Sequence, residues 1–118
     1  MKTLIIMNDA PYGTERSYNA LRVAQALIKH DPTMELTLFL IADAVTCAKS
    51  GQKPPAGYYN IEVMLKAAIR GGNHRLLLCS SCMDARGLTD AELIEGAQRS
   101  DMATLSAATC AADKVLVY

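Results

Sequence analysis

Two thiols, Cys79 and Cys82, follow directly on the apolar run Leu76-Leu77-Leu78 in this 118-residue chain. Such a run reads as a buried strand, so the pair falls where that strand turns into the next segment. In an α/β protein this carboxyl edge is where ligands bind and chemistry happens. A thiol pair there can be nucleophilic, redox-active or metal-binding, and each use demands different neighbours. A nucleophile must be ionised, yet an unperturbed thiol has a pKa of about 8.5. If residues 80–85 begin a helical turn, their unpaired N–H groups face Cys79 and favour its anion. Arg86 adds a charge if the chain folds back, whereas Arg75, four strand residues away, lies about 13 Å off. Cys79 is therefore the candidate nucleophile, and Cys82 an assisting or resolving thiol.

Spacing tests the specific mechanisms. A phosphatase or rhodanese-type loop wraps an anion between a Cys and an Arg with five residues between them. Here Cys79 and Arg86 are separated by six residues and Cys82 and Arg86 by three, with no Gly in the interval. That mechanism is rejected. A thioredoxin-type site also starts with Cys-x-x-Cys after a strand, but it needs a downstream proline, and none follows Pro55. Disulfide exchange is weakened and stays open. Zinc takes about four ligands; this pair supplies two, and His74 and Asp84 do not make a second pair, so a metal would need a subunit interface and none is expected. No Walker or Rossmann glycine fingerprint is present.

The elements that must hold the pair alternate between strand and helix. Thr3–Met7, Leu36–Ile41, Arg75–Cys79, Ala97–Arg99 and Lys114–Tyr118 read as strands, the apolar runs being of the kind buried on both faces. Ala20, Val23, Ala24, Leu27 and Ile28 mark a first amphipathic helix after a Thr14 cap, ended by Asp31-Pro32. Ile61, Met64, Leu65, Ala68 and Ile69 mark a second, capped by Asn60 and stopped by Gly71-Gly72. Thr89 and Glu92 fit a capping box. A last helix carries Met102, Leu105, Ala108 and Ala112, with Ser100 as its expected cap. Helical crossovers between apolar strands imply an α/β domain over residues 1–118, with a mostly parallel sheet of about five strands and helices on both faces.

A parallel sheet points all its strand ends one way. The rim would then gather Asn8, Asp9, Asp43 (also a cap for a short helix) and Cys79, with Arg86 near. The long loop Lys49–Tyr59, holding Pro54-Pro55, is placed to fold over them. Cys47 and Cys110 are expected to pack as small hydrophobes, and His30 and His74 to sit in solvated turns.

Twelve basic and twelve acidic residues cancel, which argues against a non-specific nucleic-acid or membrane partner. The N-terminal apolar run is too short for a signal peptide, and no stretch approaches the roughly 20 apolar residues of a membrane span. A cytoplasmic location is expected, where thiols stay reduced.

Taken together, the residues resemble the DsrE/DsrF-like family, in its YchN-like branch. The likeness is carried by Asn8 with Ala10-Pro11-Tyr12-Gly13, Phe39-Leu40 with Asp43-Ala44-Val45, and Gly51-Gln52-Lys53-Pro54. It continues through Gly57-Tyr58 with Asn60-Ile61, Cys79-x-x-Cys82 with Arg86-Gly87, and Ala112-Asp113-Lys114-Val115-Leu116. The resemblance implies a homotrimer or homohexamer that passes sulfur as a persulfide on Cys79 between donor and acceptor proteins, with no cofactor. Cys82 is a departure from the relay members. The alternatives are a thiol–disulfide redox protein using Cys79 and Cys82, and a non-enzymatic oligomeric protein that binds a small molecule.

Overall fold

The computed structural model describes residues 1–118. Five strands form one sheet in the order β4-β3-β2-β1-β5, with β1 Lys2–Met7, β2 Glu35–Leu40, β3 Arg75–Cys79, β4 Ala97–Ser100 and β5 Lys114–Val117. Every neighbouring pair is parallel. All five expected strands are present, with ends moved by a residue at most.

The register decides which side chains share a face. Leu4 lies opposite Thr37, Thr37 opposite Arg75, and Cys79 opposite Ser100. Alternation then sets Leu4, Ile6, Thr37, Phe39, Leu77, Cys79, Val115 and Val117 on one face. The other carries Ile5, Met7, Leu36, Leu38, Leu40, Leu76 and Leu78, all buried. Helices α1 (Arg16–His30) and α2 (Ile61–Ile69) lie side by side, and α1 meets β1. The Cys79 face is served by α4 (Met102–Ala111), which borders Leu4, Thr37 and Arg75 through Ala108 and Ala111. Twenty-six buried residues make one aliphatic core, with Phe39 the largest fully buried side chain.

Local signals explain most boundaries. The Asn60 side chain accepts from the Val63 N–H at 3.1 Å and starts α2. The Glu92 carboxylate accepts both the N–H and the hydroxyl of Thr89, and the Glu92 N–H donates back to the Thr89 carbonyl at 3.1 Å. Gly96 has φ +91°, a conformation that strains other residues, and a Cβ there would crowd Ile69 Cδ1 at 3.1 Å, so the turn into β4 favours Gly.

Three cap assignments change. The first residue of α1 is Arg16, whose N–H reaches the Thr14 hydroxyl only at 3.4 Å. Asp101, not Ser100, caps α4 by accepting from the Thr104 N–H at 2.8 Å; a carboxylate one residue on is the better acceptor at a helix start. Asp43 does not cap the 3-10 segment Ala42–Ala48, because its carboxylate is taken by Arg86.

Candidate functional site

Cys79 ends β3, and residues Ser80–Ala85 form α3, so the thiol occupies the N-cap position of that short helix. It is 8% exposed, yet it lines an open hollow of about 330 Å3 with Ser80, Ser81, Asp84, Ser100, Asp101 and Met102. The sulfur is recessed but reachable. Three hydroxyls and two carboxylates surround the approach, and the apolar side chain among them is the 61%-exposed Met102.

Burial pushes the Cys79 thiol up, but its donors outweigh that. The Ser81 hydroxyl, 3.3 Å from the sulfur, the Cys82 thiol, and the backbone N–H groups of Cys82 and Ser81 hold it below the ordinary thiol value. The two side chains contribute more to this lowering than the backbone N–H groups of the helical turn do. Cys82 goes the other way. Burial raises it, the Cys79 sulfur raises it further, and the Ala42 N–H and Arg86 only partly oppose them. The two thiols are thus shifted in opposite directions, Cys79 down and Cys82 up, and no disulfide joins them.

The expected rim residues separate into groups. Arg86 donates from Nε and Nη2 to Asp43 Oδ1, at 3.0 and 2.8 Å, and from Nη1 to the Cys82 carbonyl at 3.0 Å. Arg86 and Asp43 therefore brace Cys82, not the hollow at Cys79. Asn8 and Asp9 stand apart from that hollow. The Asn8 backbone N–H and side-chain amide both donate to the Tyr118 carbonyl at 3.0 Å, tying β1 to the last residue. The Asp9 carboxylate accepts from Thr14 and lies 3.7 Å from Arg16. The Lys49–Tyr59 loop is not a lid on Cys79 either. Gln52 accepts from the Tyr12 hydroxyl at 2.8 Å, and Tyr59 stacks on Tyr18 with ring centroids 4.3 Å apart. Four tyrosines thus pin the loop to α1 and the segment before it, away from the thiol.

The other cysteines and histidines are placed differently from one another. Cys47 is wholly buried, its thiol pushed up to about 12 by burial, as expected of a packed sulfur. Cys110 is exposed on α4, contrary to expectation, because Leu105 is the residue that helix buries and Cys110 lies away from it. His74 is not merely a turn residue, since its Nδ1 accepts from the Leu36 N–H at 3.2 Å. No cluster of three or more His, Cys, Asp or Glu is arranged to hold a metal ion.

Arg99 was missed by sequence reasoning. Its guanidinium donates to the Ser80 hydroxyl at 2.8 Å and carbonyl at 3.3 Å, to Asp84 at 3.0 Å, to the Leu88 carbonyl at 3.4 Å, and to Asp90. No local sequence signal marks it, because its partners Asp90 and Ser80 lie 9 and 19 positions away.

Comparison with known proteins agrees with this architecture. The DsrE/DsrF-like family profile matches residues 1–118. Protein YchN of Escherichia coli (strain K12) is 42% identical over 117 residues, covering 99% of this chain and 98% of its own. Its crystal structure superposes with a TM-score of 0.92 over 99% of this chain and 98% of that one. The uncharacterized protein MJ0989 of Methanocaldococcus jannaschii is 37% identical over the full length of both chains. MTH1491 of Methanobacterium thermoautotrophicum, a protein of unknown function, shares the fold at 13% identity, with a TM-score of 0.73 and 99% and 97% coverage. With the whole length matched and the thiol pair set at a parallel strand end, this chain belongs to the DsrE/DsrF-like family.

Proposed function

We propose that this protein is a sulfur carrier in which Cys79 bears a persulfide. The observation that carries the reading is the asymmetry of the pair: Cys79 is recessed but open to the hollow, with the Ser81 hydroxyl 3.3 Å from its sulfur and its thiol held below the ordinary value, while the Cys82 thiol is pushed above it. In the loading step the Cys79 thiolate attacks the outer sulfur of a donor persulfide. A Cys79–sulfur bond forms, the donor's sulfur–sulfur bond breaks, and the donor leaves as its thiolate. In the return step an acceptor thiolate attacks that outer sulfur, and Cys79 leaves as the thiolate. Both steps balance without an oxidant, a metal or an organic cofactor. Hydrogen bonds that stabilise the Cys79 anion make it a good leaving group in the second step.

Donor and acceptor are proteins in this reading, and the setting is the cytoplasm. No helix is long and apolar enough to cross a membrane. Assembly into a homotrimer or homohexamer is part of the same proposal. Helix α4 has no charged residue among its ten, and the outward Ala103, Ala107 and Cys110 are exposed. Val115 and Val117, on the same sheet face, are 39% and 66% exposed. A charge-free helix that exposes small apolar residues beside these valines fits burial against another copy of the chain.

The test is loading followed by return. The protein is incubated with glutathione persulfide, desalted, and given an excess of acceptor thiol. Intact mass is expected to rise by about 32 Da and then fall back, with acceptor persulfide appearing in equal amount. Loading without return contradicts a carrier. A loss of two hydrogens in place of the gain favours the redox alternative, in which Cys79 and Cys82 close a disulfide.

A further inference from the structure

We propose that Arg99 is a positioning residue for Cys79: it fixes the first turn of α3 against the sulfur and cancels the Asp84 charge at the mouth of the hollow. Arg99 touches neither cysteine. It joins four residues instead, namely Ser80 at the start of α3, Asp84 in its last turn, Leu88 beyond it, and Asp90 in the next segment. Ser80 is the residue between Cys79 and Ser81, whose hydroxyl lies 3.3 Å from the Cys79 sulfur. Its hydroxyl and carbonyl are both held by the same Nη1.

An α3 of six residues has too few internal hydrogen bonds to hold its own first turn. Outside anchors must do it, and the two arginines divide the work. Arg86 braces the Cys82 carbonyl, and Arg99 braces Ser80. Asp84 adds an electrostatic reason. Its carboxylate lines the hollow, where an unpaired negative charge opposes a thiolate, and Arg99 lies 3.0 Å from it. A planar fork can span these acceptors, while the single ammonium of a lysine cannot.

The inference rests on Cys79 being the reactive sulfur, and it is tested by alkylation alone. In a Cys110→Ser background, the rate of Cys79 modification by iodoacetamide is followed against pH by peptide mass mapping, alongside thermal melts. Arg99→Gln is expected to raise the midpoint by about one pH unit, roughly tenfold slower alkylation below the parent midpoint. Arg75→Gln, the same charge change at the far end of β3, is expected to leave it in place. Arg99→Lys restores the charge but not the span, and its midpoint should fall between the two. If Arg99→Gln does not fold, Ser80→Ala removes the 2.8 Å anchor alone and should give a smaller shift of the same sign. An unmoved midpoint, or full restoration by lysine, overturns the proposal. Normal alkylation without any uptake of sulfane sulfur sinks the relay and leaves this test standing.

Discussion

The Ala42 backbone N–H points at the Cys82 sulfur from 3.3 Å, and Ala42 adopts a left-handed φ of 54° to do so. It is the one non-glycine residue with positive φ in the chain. Such a conformation costs an L-residue about 1–2 kcal/mol, and strain of this kind gathers where a group must be aimed. Here it aims an amide at the second thiol and leaves that thiol's own proton for Cys79. Ala42→Gly should be neutral or slightly stabilising. Ala42→Val, with a branched side chain at positive φ, should lose about 1–3 kcal/mol in urea unfolding. Equal stability of the glycine and valine variants would show that the site is not strained.

Removal of the Cys82 proton donor should slow Cys79. Cys82→Ala takes away a hydrogen bond that lowers the Cys79 pKa, so the midpoint of Cys79 alkylation should move up. Cys82→Ser keeps an O–H donor and should move it less. The measurement is the pH–rate profile at Cys79 in each variant; a downward shift in Cys82→Ala contradicts the asymmetric pair.

Cys47 sets an alkaline limit to stability. Its folded pKa, about 12, lies above the ordinary value of 9.0, so above pH 9 the unfolded chain ionises first and gains. Its contribution is therefore full below pH 9 and is lost as pH rises toward 12, at about 1.4 kcal/mol per unit. Cys47→Ala should unfold less steeply over that window than the parent chain. Parallel curves between pH 9 and 12 would contradict the sign.

Loss of the Asp101 cap should cost about 1 kcal/mol, since Asp101→Ala leaves the Thr104 N–H without its acceptor. The same helix offers a test of assembly. If the chain assembles as proposed, Ala107→Glu, which places a charge on the exposed side of a charge-free helix, should lower the molar mass by light scattering from oligomer to monomer. A monomeric parent chain, or an unchanged molar mass in the variant, would contradict assembly through α4.

Much of the fold was legible because its signals are local. Apolar runs gave the strands, 3.6-residue spacing gave α1 and α2, and Asn60 and Thr89–Glu92 announced their own turns. The thiol at a strand end was legible for the same reason. What stayed hidden depends on side chains meeting across the chain. Nothing near Arg99 in sequence points to Ser80, which is 19 positions away. Asp43 looked like a cap until Arg86, 43 positions on, claimed its carboxylate. Ala42 carries no mark of positive φ, because alanine is not the residue that usually adopts it. The Lys49–Tyr59 loop had the length of a lid, but its tyrosines, read only as scarce aromatics, decided where it lies. Cys110 followed an apolar pattern that the isolated chain does not bury.

The central claim is that one sulfur, that of Cys79, accepts the transferred atom. Intact-mass and peptide-mapping comparison of the parent chain, Cys79→Ser and Cys82→Ser after persulfide treatment tests it most directly. The account predicts a gain of about 32 Da mapped to Cys79, absent in Cys79→Ser and retained in Cys82→Ser. Sulfur uptake that persists in Cys79→Ser, or that maps to Cys82 or Cys110 in the parent chain, would contradict it.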